Sequence, residues 1–465
     1  MQPKLKANGE KVNFFITLII ILSLIGCGQI LKPQQETQIT FGHYNHSLDN
    51  NDNFSPDGQW LVYDTRTEEG GIRMGQTIER VHVSSGKIDT IYQAPNASEF
   101  GPGIGAVSYN PTKDQVVFIH GLLNPTEEEP YTFTRRFGAI VNVGRLSEMV
   151  ALDARDVTYP FTKGALRGGT HRHEISGDGK WVGYTYNDAI MANHFPEKNI
   201  RTIGVSKIGQ PLHVNDQPDR KHFTGISQTV IAVEVTHNPK PGSDEISHAA
   251  DDSWVGKSGY IDANGKRQRA RAFLGEVRSK SNEIVKELFI VDIPEIIDLA
   301  NASTSVAGSL SELPSPPKSF NQRRLTWTSE TEFPGCSGIV RSSPDGSQMA
   351  YLSRDGNGIQ QVFLMSPLGG EPIQLTSFEK SVQSGVRWHP NGTHVCFIWN
   401  NSIIVANIQD GSWKQITKST KLDISALVWS QDGKTIGYNR NIQDEITGKS
   451  FAQVFAIQLN QNLLP

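Results

Sequence analysis

The chain has 465 residues, with 44 Lys and Arg against 48 Asp and Glu and a formal net charge of −4. That balance supplies no basic field of the kind nucleic acid requires, so nucleic-acid partners are set aside.

At the N-terminus, Lys4, Lys6 and Lys11 precede an apolar run from Phe14 to Ile25, broken only by Thr17 and Ser23. The run is shorter than the ~20 residues that span a bilayer, and basic residues before a short apolar core describe a cleaved export signal. The segment Leu24-Ile25-Gly26-Cys27 resembles the lipobox of bacterial lipoproteins, which implies cleavage before Cys27 and a lipid on that cysteine. Residues 1–26 are therefore expected to be a lipoprotein signal peptide and residues 27–36, polar and carrying Pro33, a tether. In a Gram-negative cell, Gly28 lacks the aspartate that retains lipoproteins at the inner membrane. The expected location is the outer membrane, with the protein facing the periplasm as a monomer tied to the membrane by its lipid.

From residue 37 to 465 a phrase recurs: a polar turn, then a short alternating strand. It reads Ser55-Pro56-Asp57-Gly58, Ser176-Gly177-Asp178-Gly179 and Ser343-Pro344-Asp345-Gly346, with looser copies at Asn110, His389 and Ser430. Proline presets the first turn dihedral, glycine takes positive φ and aspartate accepts nearby amides, so these aspartates are expected to build turns, not chemistry. Spacings of roughly 40 to 65 residues mean an array of similar units, and short strands at that period form a β-propeller. A second phrase marks the outer strand: Arg323-Arg324-Leu325-Thr326, Glu371-Pro372-Ile373-Gln374-Leu375-Thr376 and Trp413-Lys414-Gln415-Ile416-Thr417. It also appears at Thr37-Gln38-Ile39-Thr40, ahead of any blade, where it fits only as the outer strand of the last blade. Innermost strands beginning near Leu48, Gly105, Thr170, Thr229, Gly338, Gly385 and Ser425 give an all-β, seven-bladed propeller closed by its N-terminal strand. The fourth blade has no Asp-Gly turn. Its first strand is placed at Val230 to Val235, followed by an insertion at about residues 238–268 and a Ser/Pro-rich excursion near 302–319. Cys336 and Cys396 fall on different repeats and are expected to be buried free thiols.

The turn-and-strand phrase resembles the TolB-type propeller repeat, over most of the chain from Gln38 onward. More narrowly, the chain resembles a bacterial propeller family of unknown function. The segments that carry this are Gly169-Thr170-His171-Arg172-His173, 239–247 from Pro239 to Ser247, Glu287-Leu288-Phe289-Ile290-Val291-Asp292 and Arg341-Ser342-Ser343-Pro344-Asp345-Gly346. No Gly-x-Ser-x-Gly elbow precedes a helix, so no hydrolase domain of that type is expected.

Ligands of propellers sit at the central channel mouth, on residues just before each turn. Three positions before the turn most blades carry an aliphatic residue (Val107, Val340, Val386, Leu427), whereas blades 1 and 3 carry Asp52 and His173. Two positions before it stand Glu174, Arg341 and Arg387. His171 and His173, two apart on an extended strand, should face the same side. With His43, His46 and Asp52 they offer nitrogen and oxygen ligands to a divalent metal. That set is similar to the oligogalacturonide lyases, seven-bladed relatives whose histidines bind a metal beside the uronate. The resemblance implies β-elimination, with Arg341 and Arg387 clamping a substrate carboxylate and a histidine as base. The structural alternative makes the histidines hydrogen-bonded channel residues and the arginines inter-blade ion-pair partners. Other acidic or mixed groups, Asp49 to Asn53 and His237, Asp244, Glu245 and His248, read as turns and a surface loop. Two functions follow: an envelope propeller that binds a protein, peptide or glycan, and, as the alternative, a metal-dependent lyase or hydrolase acting on an acidic oligosaccharide.

Overall fold

The computed structural model describes residues 36–459 except 50–51, 68–70, 146–147, 215–218 and 220, together with Leu464. The export signal, Cys27 and most of the tether therefore lie outside the described residues, as do Asn50 and Asn51.

Seven antiparallel sheets stand round a central channel; six have their first strand innermost, and in blade 1 the three-stranded sheet Trp60–Asp64, Thr77–His82 and Ile88–Gln93 is approached on its inner side only by the bridges Ser47–Asp64 and Phe54–Leu61 among the described residues. Blade 2, for instance, runs outward through Ile104–Tyr109, Gln115–Gly121, Arg136–Asn142 and Val150–Ala151. The last sheet is completed by Thr37–Gln38, whose residues pair with Ala456 and Phe455 of Ser450–Gln458. The closure extends into side chains: Arg440 ion-pairs with Glu36, and Tyr438 donates to the same carboxylate at 2.7 Å. It is the closing strand that the displaced outer-strand phrase required.

The alternating strands bury both faces of each sheet, and the core consists of seven hydrophobic clusters, one at each blade boundary. At the closing boundary, Phe54, Leu61 and Tyr63 of blade 1 pack on Val428, Val454 and Ala456 of blade 7. Cys336 and Cys396 are buried and unpaired, and burial pushes each thiol up to about 12.

The turn phrase does what its residue types dictate. Ser55 Oγ donates to Asp57 Oδ1, which also accepts the Gln59 amide at 3.0 Å, while Gly58 takes φ +71°. The same arrangement recurs at Ser176/Asp178, Ser343/Asp345 and Ser430/Asp432. These aspartates are turn residues.

Blade 4 departs from the sequence expectation. Gly225–Ile231 is the outermost strand of blade 3, hydrogen-bonded to Thr202–Leu212. The innermost strand of blade 4 is Ile246–Trp254, inside the stretch read as an insertion. Its sequence, Ile-Ser-His-Ala-Ala-Asp-Asp-Ser-Trp, carries two register shifts against its neighbour and so lacks the clean two-residue alternation that marks a strand. A further short strand, Tyr260–Ile261, pairs back on Arg267–Arg278 where the other blades have the recurring polar turn. The Ser/Pro-rich excursion folds back over blade 3: Arg167 donates to the Ser309 and Glu312 carbonyls, and Lys198 pairs with Glu312 at 2.8 Å.

Candidate functional site

The innermost strands share an irregularity that decides where their side chains go. Ala106, Arg172, Asp251 and Ala426 take φ between +55° and +62° and Gly338 takes +73°, and each lies at a register shift in its strand. A bulge sets two residues against one and interrupts the alternation of faces. In blade 3, Glu174 opposes Gly183 and His171 opposes Thr185, so Arg172 and His173 together face Tyr184. The expectation that His171 and His173 share a face therefore fails.

His173 occupies the slot filled by Val107, Val340, Val386 and Leu427 in other blades, and it is fully buried. Its Nε2 meets Thr170 Oγ1 at 2.9 Å, its ring lies 5.6 Å from that of Tyr184, and it packs on Gly138 of blade 2. Burial, assisted by the positive charge of Arg136, pushes its pKa down to about 3. His171 stays half-buried at the mouth away from the Asp-Gly turns. The other two histidines of the expected metal set are elsewhere. His43 is exposed and hydrogen-bonded to Asp444 at 2.9 Å. His46 is fully buried between Tyr44 and Tyr63, its pKa lowered to about 4 by burial. Among the described residues no three His, Cys, Asp or Glu side chains converge as metal ligands. The donor set His43, His46, His171 and His173 does not fit a metal, because a bulge and two different blades separate its members. In blade 4, Asp244 and Glu245 pair instead with Arg324 and Lys240.

At the mouth bearing the turns, which we call the upper mouth, the structure brings the other candidate residues together. Asp52, Glu174, Arg341 and Arg387 line one cleft of about 250 Å³, rimmed by Trp254, Trp388, Trp429, Pro111, Pro344 and Pro390. Glu174 is its electrostatic centre. One carboxylate oxygen pairs with Arg341; the other accepts from Arg271 and from the Trp254 amide, each at 3.1 Å. Burial opposes its ionisation, but Arg341, Arg271 and Arg172 outweigh burial and hold its pKa below the usual range. Asp52 goes the other way: burial first, then the charge of Glu174, raises it to about 6 against the pull of Arg387 and Arg341. Burial likewise lowers Arg341 and Arg387, the latter strongly.

The same positions stitch adjacent blades. Asn53 donates to the Val107 carbonyl at 3.3 Å, Ser108 to His173 at 3.1 Å, Ser253 to Val340 at 2.5 Å and Arg387 Nε to Leu427 at 3.0 Å. The indoles of Trp254, Trp388 and Trp429 return bonds to the carbonyls of Glu174, Arg341 and Arg387 at 2.9, 2.9 and 3.3 Å. These tryptophans, and Arg271 with its ion pair to Asp252, escaped sequence reasoning. Trp388 and Trp429 sit one residue nearer the turn than the positions compared, Trp254 ends the strand that was read as an insertion, and Arg271 lies on the second strand of blade 4.

A family model described as a protein of unknown function (DUF3748) matches residues 103–222. The uncharacterised protein YidR of Escherichia coli (strain K12) is 39% identical over 418 residues, covering 88% of this chain and 96% of YidR. An oligogalacturonate lyase in complex with manganese superposes with a TM-score of 0.54 at 11% identity, over 92% of this chain and 94% of the lyase. An oligogalacturonate lyase from Vibrio parahaemolyticus gives 0.51 at 11% identity, over 92% and 95%. At that identity the likeness speaks for the propeller fold alone. With seven closed blades and a relative matched along nearly its whole length, the chain belongs to the propeller family of unknown function that includes YidR.

Proposed function

We propose that this protein is a lipid-anchored envelope propeller, held through Cys27 at the outer membrane facing the periplasm, that serves as a binding or scaffold module. Its upper-mouth cleft would receive a protein, peptide or glycan segment. One observation supports this above the others: Glu174, Arg341 and Arg387 are bonded across blade boundaries, so the mouth is pre-organised before a ligand arrives. Indole walls beside fixed charges are the composition of a recognition cleft. The alternative, a metal-dependent lyase, loses its support with the separation of its histidines; Arg341, its proposed clamp, already holds Glu174.

A photoreactive residue replacing Lys257 in the cleft, and another replacing the distant Lys87, test the reading in intact cells. A defined envelope adduct at 257 and none at 87 is expected, whereas equal labelling at both positions removes the cleft from consideration. Mass spectrometry of the mature N-terminus checks the anchor: a lipidated Cys27 is expected, and an unmodified or uncleaved terminus refutes it.

A further inference from the structure

The opposite mouth of the channel holds a buried cation that the chain leaves half satisfied. Arg136, at the start of the third strand of blade 2, is 1% exposed. Its Nη1 donates to Tyr131 Oη at 3.1 Å, and its guanidinium carbon lies 4.9 Å from the Phe133 ring centroid. Nε and Nη2 have no hydrogen-bond partner among the described residues, and no carboxylate pairs with the side chain there. A guanidinium carries five N–H donors, and leaving buried donors dry is costly. The fold has prepared a donor fork and supplied no acceptor for most of it.

The surroundings add positive charge. Arg136, Arg201 and Arg172 all act on His171 and, together with its burial, keep that imidazole neutral. Arg201 is half-buried, donates from Nε to Asn187 at 3.1 Å and joins no ion pair among the described residues. Two carboxylates come near it, and both are engaged elsewhere: Asp252 with Arg271, and Asp251 with Lys286 at 3.7 Å. His171 and Arg201 remain partly solvent-exposed, so a solute reaches these two side chains, with the buried Arg136 behind them.

We propose that the lower mouth is an oxyanion site, in which Arg136 and Arg201 hold a carboxylate or phosphate group and His171 supplies a neutral N–H donor. Arginine suits both anions, since its planar fork matches paired oxygens. The site shares none of the cleft residues named for the upper mouth and does not rest on the reading given there.

Titration calorimetry of the whole protein decides it, using inorganic phosphate and, separately, acetate, each against chloride at constant ionic strength. Saturable binding of at least one anion is expected. Arg136→Gln and Arg201→Gln should each weaken it about tenfold or more, the effect of losing a charge-assisted bond, while Lys434→Gln on a distant turn leaves it unchanged. Preference for phosphate over acetate would indicate a phosphate ester as the natural ligand; the reverse indicates an acidic sugar or peptide carboxylate. If Arg136→Gln does not fold, the half-buried Arg201 variant decides alone. No saturable binding of either anion, or equal affinity in wild type and Arg201→Gln, overturns the proposal and leaves the upper-mouth reading untouched.

Discussion

Replacing Glu174 by alanine is the sharpest test of how the channel is held together. The side chain belongs to blade 3, yet its carboxylate bonds Arg271 and the Trp254 amide of blade 4 and Arg341 of blade 5. It is 7% exposed, and Arg341 is 7% exposed beside the other buried cation, Arg387. Removing the carboxylate takes from Arg341 the ion pair with Glu174 beside the like charge of Arg387, whereas Arg271 retains Asp252. Breaking one partner of a buried pair costs about 3–5 kcal/mol, and orphaning the Trp254 amide adds about 1–3 kcal/mol. Asp52 gives some of this back: once Glu174 no longer repels it, it ionises more readily beside Arg341 and Arg387. The net expectation is a loss of about 3–5 kcal/mol in urea unfolding followed by tryptophan fluorescence. A double-mutant cycle with Arg341→Met should return a coupling of about 2 kcal/mol or more, because the second change removes the cation that Glu174 had paired with. A Glu174→Ala loss below about 1 kcal/mol, or a coupling near zero, would refute the view that this carboxylate ties three blades together.

Other consequences follow from the same geometry. Because the fold raises Asp52 to about 6, the folded state retains a proton that the unfolded chain releases near the ordinary carboxylate pKa. That contribution to stability is present at low pH and is lost as pH rises through about 6. Asp52→Asn should gain about 2–3 kcal/mol on wild type between about pH 4.5 and pH 7.5, and a pH-independent difference would contradict it. His173→Val, which installs the residue of the equivalent slots, should change stability by less than about 1.5 kcal/mol and leave anion binding intact. Loss of anion binding in that variant would mean His173 serves the channel. Gly138→Ala should cost about 1–3 kcal/mol, since the new Cβ would lie 2.7 Å from His173 Nε2 and 2.9 Å from Leu152 Cδ2; a neutral result would show the boundary is slack. Deleting residues 28–41 opens the ring, strips Ser450–Gln458 of its outer partner strand and should lower the melting temperature by about 5 °C or more with aggregation. An unchanged melting curve would show that closure does not depend on the N-terminal strand.

The sequence alone determined the architecture. Turn residues have local causes, in Pro, Asp and Gly dihedrals and in hydrogen bonds within a few residues, so Ser55-Pro56-Asp57-Gly58 and its copies announce their structure unaided. The displaced outer strand at Thr37 implied ring closure for the same reason: a strand phrase needs a sheet. Where the local signal vanished, as in the bulged, turnless Ile246–Trp254, the strand was misplaced. The site depended on more than local rules. Positive φ at Arg172 separates two histidines that strict alternation would put on one face, and nothing in His-Arg-His states that angle. The partners of Glu174 lie 97 and 167 residues away in sequence, and Nε and Nη2 of Arg136 are left without a hydrogen-bond partner among the described residues. Dihedral preferences are written residue by residue, but the balance of buried charge belongs to the assembled ring, and only the tertiary structure decides it.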